Sequence, residues 1–211
     1  LSALILEGLL FGWSVAWPPG PINAEIIRRC LARGFAAGMV VALGAASGDA
    51  IWATGTALGA GILLAGAATR LALGVVSTLL LLALGGLFLR GAWRGVAAWR
   101  GGAPVPPGRF DSERAGYVLG LGMSLSSPWN VAFWLAVMGR PELAGRGIGA
   151  SLVVAAAVMA GALGWCLILT GTASVLRLRF ATLWWDIVAK GATGALMLGF
   201  AVRSALRLAA S

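Results

Sequence analysis

An all-α integral membrane fold follows from three observations on this chain. It has 211 residues, of which 60% are hydrophobic and only 11% charged, against about 25% charged in a typical soluble domain. The apolar residues fall into successive runs long enough to cross a bilayer, which takes about 20 residues in a helix. Within each run the apolar character is continuous, which argues against the alternating pattern of outer-membrane strands. The high glycine content suits the same class, because glycine lets membrane helices approach backbone to backbone.

Six spans are expected, at roughly 2–30, 35–64, 70–96, 115–139, 147–173 and 186–207. The first could be mistaken for a secretion signal. It lacks a basic leading region, contains Glu7 and runs directly into Pro18, Pro19, Gly20 and Pro21, so it reads as a retained first helix broken by proline. The second carries one acid, Asp49, within Gly44-Ala45-Ala46-Ser47-Gly48-Asp49. The third leads into a Pro/Gly loop of mixed charge containing Gly101, Gly102, Pro104, Pro106 and Pro107, a linker rather than a structured element. The fourth is interrupted in its turn by Pro128. The fifth is apolar, and the sixth opens on Trp184 and Trp185, as in an interfacial belt, with Asp186 and Lys190 spaced as a helical ion pair.

The linker divides the chain into a first three-helix unit, 1–99, a cytoplasmic linker, 100–114, and a second three-helix unit, 115–211. The units resemble each other. Pro21-Ile22-Asn23 answers Pro128-Trp129-Asn130, and Thr54-Gly55-Thr56 answers Thr170-Gly171-Thr172. Gly86, Arg90 and Arg94 answer Gly199, Arg203 and Arg207 at a constant offset. A repeat with an odd number of spans inserts its second copy upside down, giving two inverted repeats. Placing both termini outside puts Arg28, Arg29, Arg33, Arg90, Arg94, Arg100, Arg109, Arg114, Arg177 and Arg179 on the cytoplasmic side. Arg70, Arg140, Arg146, Arg203 and Arg207 then face outward, which favours this orientation by the positive-inside rule.

Charge and composition exclude several function classes. The net charge of +9 is spread between the apolar runs rather than gathered on one face or tail, so nucleic acid is not the expected partner. Cys30 and Cys166 are far apart with no metal or redox spacing. The chain has no histidine, so proton coupling would fall to carboxylates. No phosphate loop, zinc constellation or nucleophile–base pair is visible, and neither an enzyme nor a cofactor is expected. Ser126 and Ser127 read as helix-end caps.

The chemistry concentrates at the two breaks. A proline inside a membrane helix frees carbonyls before it and amides after it, in a place without bulk water to satisfy them. Paired breaks at matching positions of two halves point to a transporter's binding site. Ile22-Asn23-Ala24 and Trp129-Asn130-Val131 are the restarting turns, and each asparagine can serve a ligand or cap its own backbone. Asp49 costs on the order of 2.5–3.5 kcal/mol to insert at mid-membrane, so it should face the interior. There it could pair a substrate ammonium, carry a coupling proton or bridge to an arginine. Its counterpart in the second half lies around Trp165 and is not an acid. Glu25 stands three and four residues before Arg28 and Arg29, as in an interfacial ion pair. Glu7 has no evident partner and is expected to face the interior. The glycine pairs Gly8/Gly12, Gly34/Gly38, Gly44/Gly48, Gly55/Gly59 and Gly145/Gly149 permit close packing without naming a contact, and they leave homo-oligomerisation open.

The stretch Trp17-Pro18-Pro19-Gly20-Pro21-Ile22-Asn23-Ala24-Glu25, followed by Arg28-Arg29, Arg33-Gly34, Gly44 and Gly48-Asp49, resembles the N-terminal signature of the LysE/RhtB family of amino-acid exporters. Ser127-Pro128-Trp129-Asn130-Val131-Ala132-Phe133-Trp134 is similar to that family's second motif, with serine in place of asparagine before the proline and tryptophan in place of lysine after it. The resemblance implies a multi-pass bacterial inner-membrane protein that exports an amino acid by antiport against a proton or cation gradient. Carried over by position, Pro21, Asn23, Asp49, Pro128 and Asn130 line the site, with Ile22 and Trp129 in the same restarting turns. The residues also leave open an inorganic cation as cargo, or a scaffold subunit that transports nothing.

Overall fold

The computed structural model describes residues 2–18, 20–60, 67–101, 112–140, 143, 146–180 and 183–209. Most of the 100–114 linker, Pro19, Gly145 and the end of the second span lie outside the described residues, as do the side chains of Trp185 and Asp186. Every regular element described is helical. In chain order these are α1 (Ser2–Ala16), α2 (Pro21–Arg33), α3 (Phe35–Gly55, continued by a π-helical turn Thr56–Ala60), α4 (Ala67–Gly101), α5 (Glu113–Ser126), α6 (Pro128–Met138), α7 (Gly147–Phe180) and α8 (Leu183–Ala209).

Both proline-containing spans are divided into two half-helices. Gly20 adopts an extended conformation before Pro21, and Ser127 does so before Pro128. Each proline then occupies the first helical turn, where its missing N–H costs nothing and its fixed φ suits the helix. The division has a consequence for span length. Only α3, α4 and α7 are long and apolar enough among the described helices to cross a membrane, over Phe35–Leu58, Gly74–Gly101 and Gly147–Arg177. The half-helices α1 and α6 are apolar but too short, and α8 dilutes its apolar run with Lys190, Arg203 and Arg207. The chain is therefore an all-α membrane protein with several apolar helices. Its outward surface is rich in large apolar side chains, including Leu10, Ile51, Leu58, Leu79, Val175 and Leu206, as suits a surface facing lipid.

Three long contacts organise the bundle: α4 along α8, α3 along α5 and α1 along α7. Two of them are glycine seams of the same construction. A Cβ added at Gly12 of α1 would overlap the carbonyl of Val158 in α7, and one at Gly161 of α7 would overlap the carbonyl of Leu9 in α1. In the other seam, Gly120 of α5 meets the carbonyl of Val41 in α3, and Gly44 of α3 meets that of Tyr117 in α5. In all four cases the contacted residue stands three positions before a seam glycine on its own helix (Leu9 and Gly12, Val158 and Gly161, Tyr117 and Gly120, Val41 and Gly44). Interfaces this close require residues without side chains. The third contact is reciprocal too. Gly85 lies against Leu198 and the carbonyl of Gly194, and Gly194 against Leu89 and the carbonyl of Gly85. Gly86 and Gly199, paired by sequence offset, both face open space.

The buried apolar residues form two clusters, each built on one restarting half-helix. Ile26 and Cys30 of α2 pack with Val41, Ala42, Phe88 and Met123. Trp134 and Val137 of α6 pack with Leu4, Ala53, Val154 and Val158. Two helices run through both clusters. On α3, residues 41–42 belong to one and Ala53 to the other; on α7, Ala173 belongs to the first and residues 154–158 to the second. Asp49 and Trp165 fall between these positions along α3 and α7, and Cys166 packs against the first cluster.

Candidate functional site

The second break is where polar groups converge on that interval. Ser127 is the N-cap of α6, and its hydroxyl oxygen accepts from the Asn130 amide at 3.4 Å. With the backbone so capped, the Asn130 side chain reaches out of its own helix. Its Nδ2 donates to Asp49 Oδ1 at 2.8 Å, and Ser124 Oγ donates to the same oxygen at 2.9 Å. The Asn130 amide also lies 3.0 Å from Ser124 Oγ, closing a three-residue network across α3, α5 and α6. Trp52 Nε1 donates to the Ser124 carbonyl at 3.4 Å. Trp134 stands one helical turn beyond Asn130, is 1% exposed and lies against the carboxylate.

Only neutral donors hold Asp49 among the described residues. No arginine among the described residues pairs with it. A carboxylate has about four acceptor positions, and two bonds on one oxygen leave capacity for an incoming cation. Helix α7 packs on α3, the helix that carries the acid.

The first break is arranged differently. Gly20 caps α2 without a side-chain bond. Asn23 Nδ2 turns back to the preceding helix, donating to the carbonyls of Ala16 at 2.7 Å and Pro18 at 2.9 Å. It satisfies the carbonyls freed at the end of α1 and leaves the restarting amides of α2 without a cap. Beside it, Trp165 of α7 packs edge-on against Trp13 and Trp17, with ring centroids 5.5 and 5.7 Å away.

The structure brings Asp49 and Asn130 together, with Pro128 setting the turn between α5 and α6. Pro21 and Asn23 form the other break, and Ile22 packs against the α2 core. Trp129 is 67% exposed and is not part of the Asp49 network. Ser124, Trp52 and Trp134 escaped sequence reasoning. Trp134 was accessible to it, since it shares a helical face with Asn130 at i and i+4. Ser124 becomes visible only once α3 and α5 are seen to cross.

Glu25 pairs with both neighbours, at 2.8 Å to Arg28 and 2.6 Å to Arg29, and the triad is buried within the protein. Arg29 also donates to the Ser112 carbonyl at the start of α5, and Arg28 lies over the Phe88 ring of α4. Both arginines therefore tie helices together. Glu7, expected to lack a partner and face inward, has a 46% exposed side chain and pairs with Arg140 after α6. That partner is 133 residues away, beyond any local spacing rule. The Asp186 to Lys190 pair lies outside the described side chains.

A family model described as LysE type translocator matches residues 13–207 of the chain. The chain is also 33% identical over 206 residues to the chemotactic transduction protein ChpE of Pseudomonas aeruginosa, covering 95% of this chain and 97% of that protein. No solved structure matches it.

Proposed function

We propose a mechanism from one premise: the chain belongs to the LysE type translocator family. It is a multi-pass inner-membrane secondary transporter that exports a small, amino-acid-like molecule, and not an enzyme. We infer that the cargo is a zwitterionic amino acid or close derivative and that it binds in the interval between the two apolar clusters. Asp49 takes its ammonium group, or a coupling proton when the cargo has left. The uncapped amides that restart at Ile22 and Asn23 offer partial positive charge to its carboxylate. Asn130 and Ser124 hold the Asp49 carboxylate in place, and Pro21 and Pro128 create the two breaks. The observation that carries this reading is a carboxylate at mid-helix, held by neutral donors and placed where two hydrophobic cores meet. A charge so placed is expensive unless a cation completes it.

The paired seams support an architecture of six spans in two inverted three-helix units, 1–99 and 115–211, joined by the 100–114 linker, with both termini outside. Exchanging α1 for α5 and α7 for α3 turns one glycine seam into the other, while α4 and α8 exchange with each other. Rocking one unit against the other would open the interval alternately to each side of the membrane.

The test is counterflow uptake of labelled amino acids into proteoliposomes by the parent and by Asp49→Asn. Loss of a charged contact of this kind corresponds to about a hundredfold fall in uptake. Equal uptake by a folded Asp49→Asn would end the assignment.

The resemblance to a protein described by a chemotactic role supports a second reading, in which the chain serves a signalling assembly without carrying cargo. Full support of that assembly by a transport-dead Asp49→Asn would favour it.

A further inference from the structure

We propose that Trp165 is the second cargo-contacting residue, serving the first break as Asp49 serves the second. Its indole N–H donates to the cargo carboxylate, while the rings of Trp13 and Trp17 enclose the cargo's apolar part. The proposal deepens the reading of Asp49 as the ammonium site and rests on it.

Trp165 Nε1 is buried, and no acceptor among the described residues bonds it. Buried tryptophan N–H groups normally find a partner. The group can only donate, so the missing partner is an acceptor.

The surroundings say where that acceptor would come from. Along the α1–α7 seam, Gly8, Gly12 and Gly161 hold the two backbones in contact. At the corresponding point of the sister seam, Gly48 keeps α3 tight against Ser124 of α5. In the α1–α7 seam that point is Trp165, wedged against Trp13 and Trp17 at the mouth of the first break. The tryptophan lines the break with aromatic surface and supplies one unused donor. Helix α7, which carries Trp165, packs on α3, which carries Asp49. A donor on one helix and a carboxylate on its neighbour can thus serve the same interval. That arrangement fits the two ends of a zwitterion. The aromatic wall selects for an apolar or aromatic side chain and against an acidic one.

Counterflow with the full chain in proteoliposomes tests this, using a panel of amino acids together with amines that lack the carboxylate. Trp165→Phe keeps a ring and removes the donor; Trp165→His keeps a donor on a smaller ring. The expected result is a KM for amino acids raised about tenfold or more in Trp165→Phe, with maximal rate little changed. Inhibition by the amines should be unaltered, and Trp165→His should recover part of the affinity. If Trp165→Phe retains the parent KM while Asp49→Asn is inactive, Trp165 is not a cargo residue and the Asp49 assignment stands. If amino acids and amines weaken equally, Trp165 is a packing residue and the proposal falls. Transport by Asp49→Asn equal to the parent removes the underlying reading instead.

Discussion

The two breaks share a sequence pattern and differ in nearly every bond they make. At the second, Ser127 caps the helix, and Asn130 is released to join Asp49 and Ser124 across three helices. At the first, no side chain caps α2, and Asn23 is occupied by the carbonyls of Ala16 and Pro18. The half-helices that follow differ as well. The first carries Glu25, Arg28 and Arg29 into the interior as a buried triad, whereas α6 is apolar and anchored by Trp134. A repeated motif therefore does not repeat its bonds. One break gathers around the Asp49 carboxylate of α3, and the other leaves its restarting amides without a side-chain cap.

The largest expected effect breaks the comparison at its ionic anchor. Glu25→Ala leaves two arginines buried beside each other without their carboxylate, and loss of one partner of a buried ion pair costs about 3–5 kcal/mol. A severe drop in thermal stability in detergent is expected. Glu7→Gln, at the part-buried pair with Arg140, should cost less than Glu25→Ala, because the Glu7 side chain is 46% exposed whereas Glu25 is fully buried. Similar melting temperatures for the two variants would show that the two ends of the bundle are anchored alike.

Next come the seams. Gly12→Ala and Gly120→Ala force a methyl group into a facing backbone carbonyl, and overpacking of this kind costs about 1–3 kcal/mol. Gly86→Ala, facing open space, should be neutral or slightly stabilising. Thermal unfolding of the three variants ranks them, and a neutral Gly12→Ala together with a damaging Gly86→Ala would contradict the packing.

The smallest effect is also the sharpest on function. Asn130→Ala should lower uptake by about tenfold, the equivalent of one lost hydrogen bond to a charged group. Asn23→Ala should cost about 1 kcal/mol of stability, as for a lost helix-end cap, and leave KM close to that of the parent. Counterflow kinetics alongside melting curves separate the two. A reversal of their roles would place the polar pole of the site at the first break.

Much of the fold was legible without coordinates because its signals are local. Proline disrupts a helix interior and suits a first turn, so both breaks could be placed from Pro21 and Pro128. The spacing of Glu25 to Arg28 and Arg29 foretold their pairing, since neighbours one turn apart meet on any helix. The depth of that triad was not legible, because burial is set by α4 and α5 and not by α2. The same limit hid Arg140 from Glu7 and left the glycine pairs without partners.

Sequence by itself determined the class, the helical segments, the two interruptions and the isolation of Asp49 in an apolar run. Each follows from hydropathy and backbone stereochemistry within a few residues of chain. Tertiary structure alone decided that Asn130 and not Asn23 reaches Asp49, that Ser124 joins them, and that the Trp165 N–H beside the first break finds no acceptor among the described residues. Those outcomes depend on how α3 crosses α5 and how α7 crosses α1. The crossings are set by backbone contacts between glycines far apart in the chain, which no local pattern encodes.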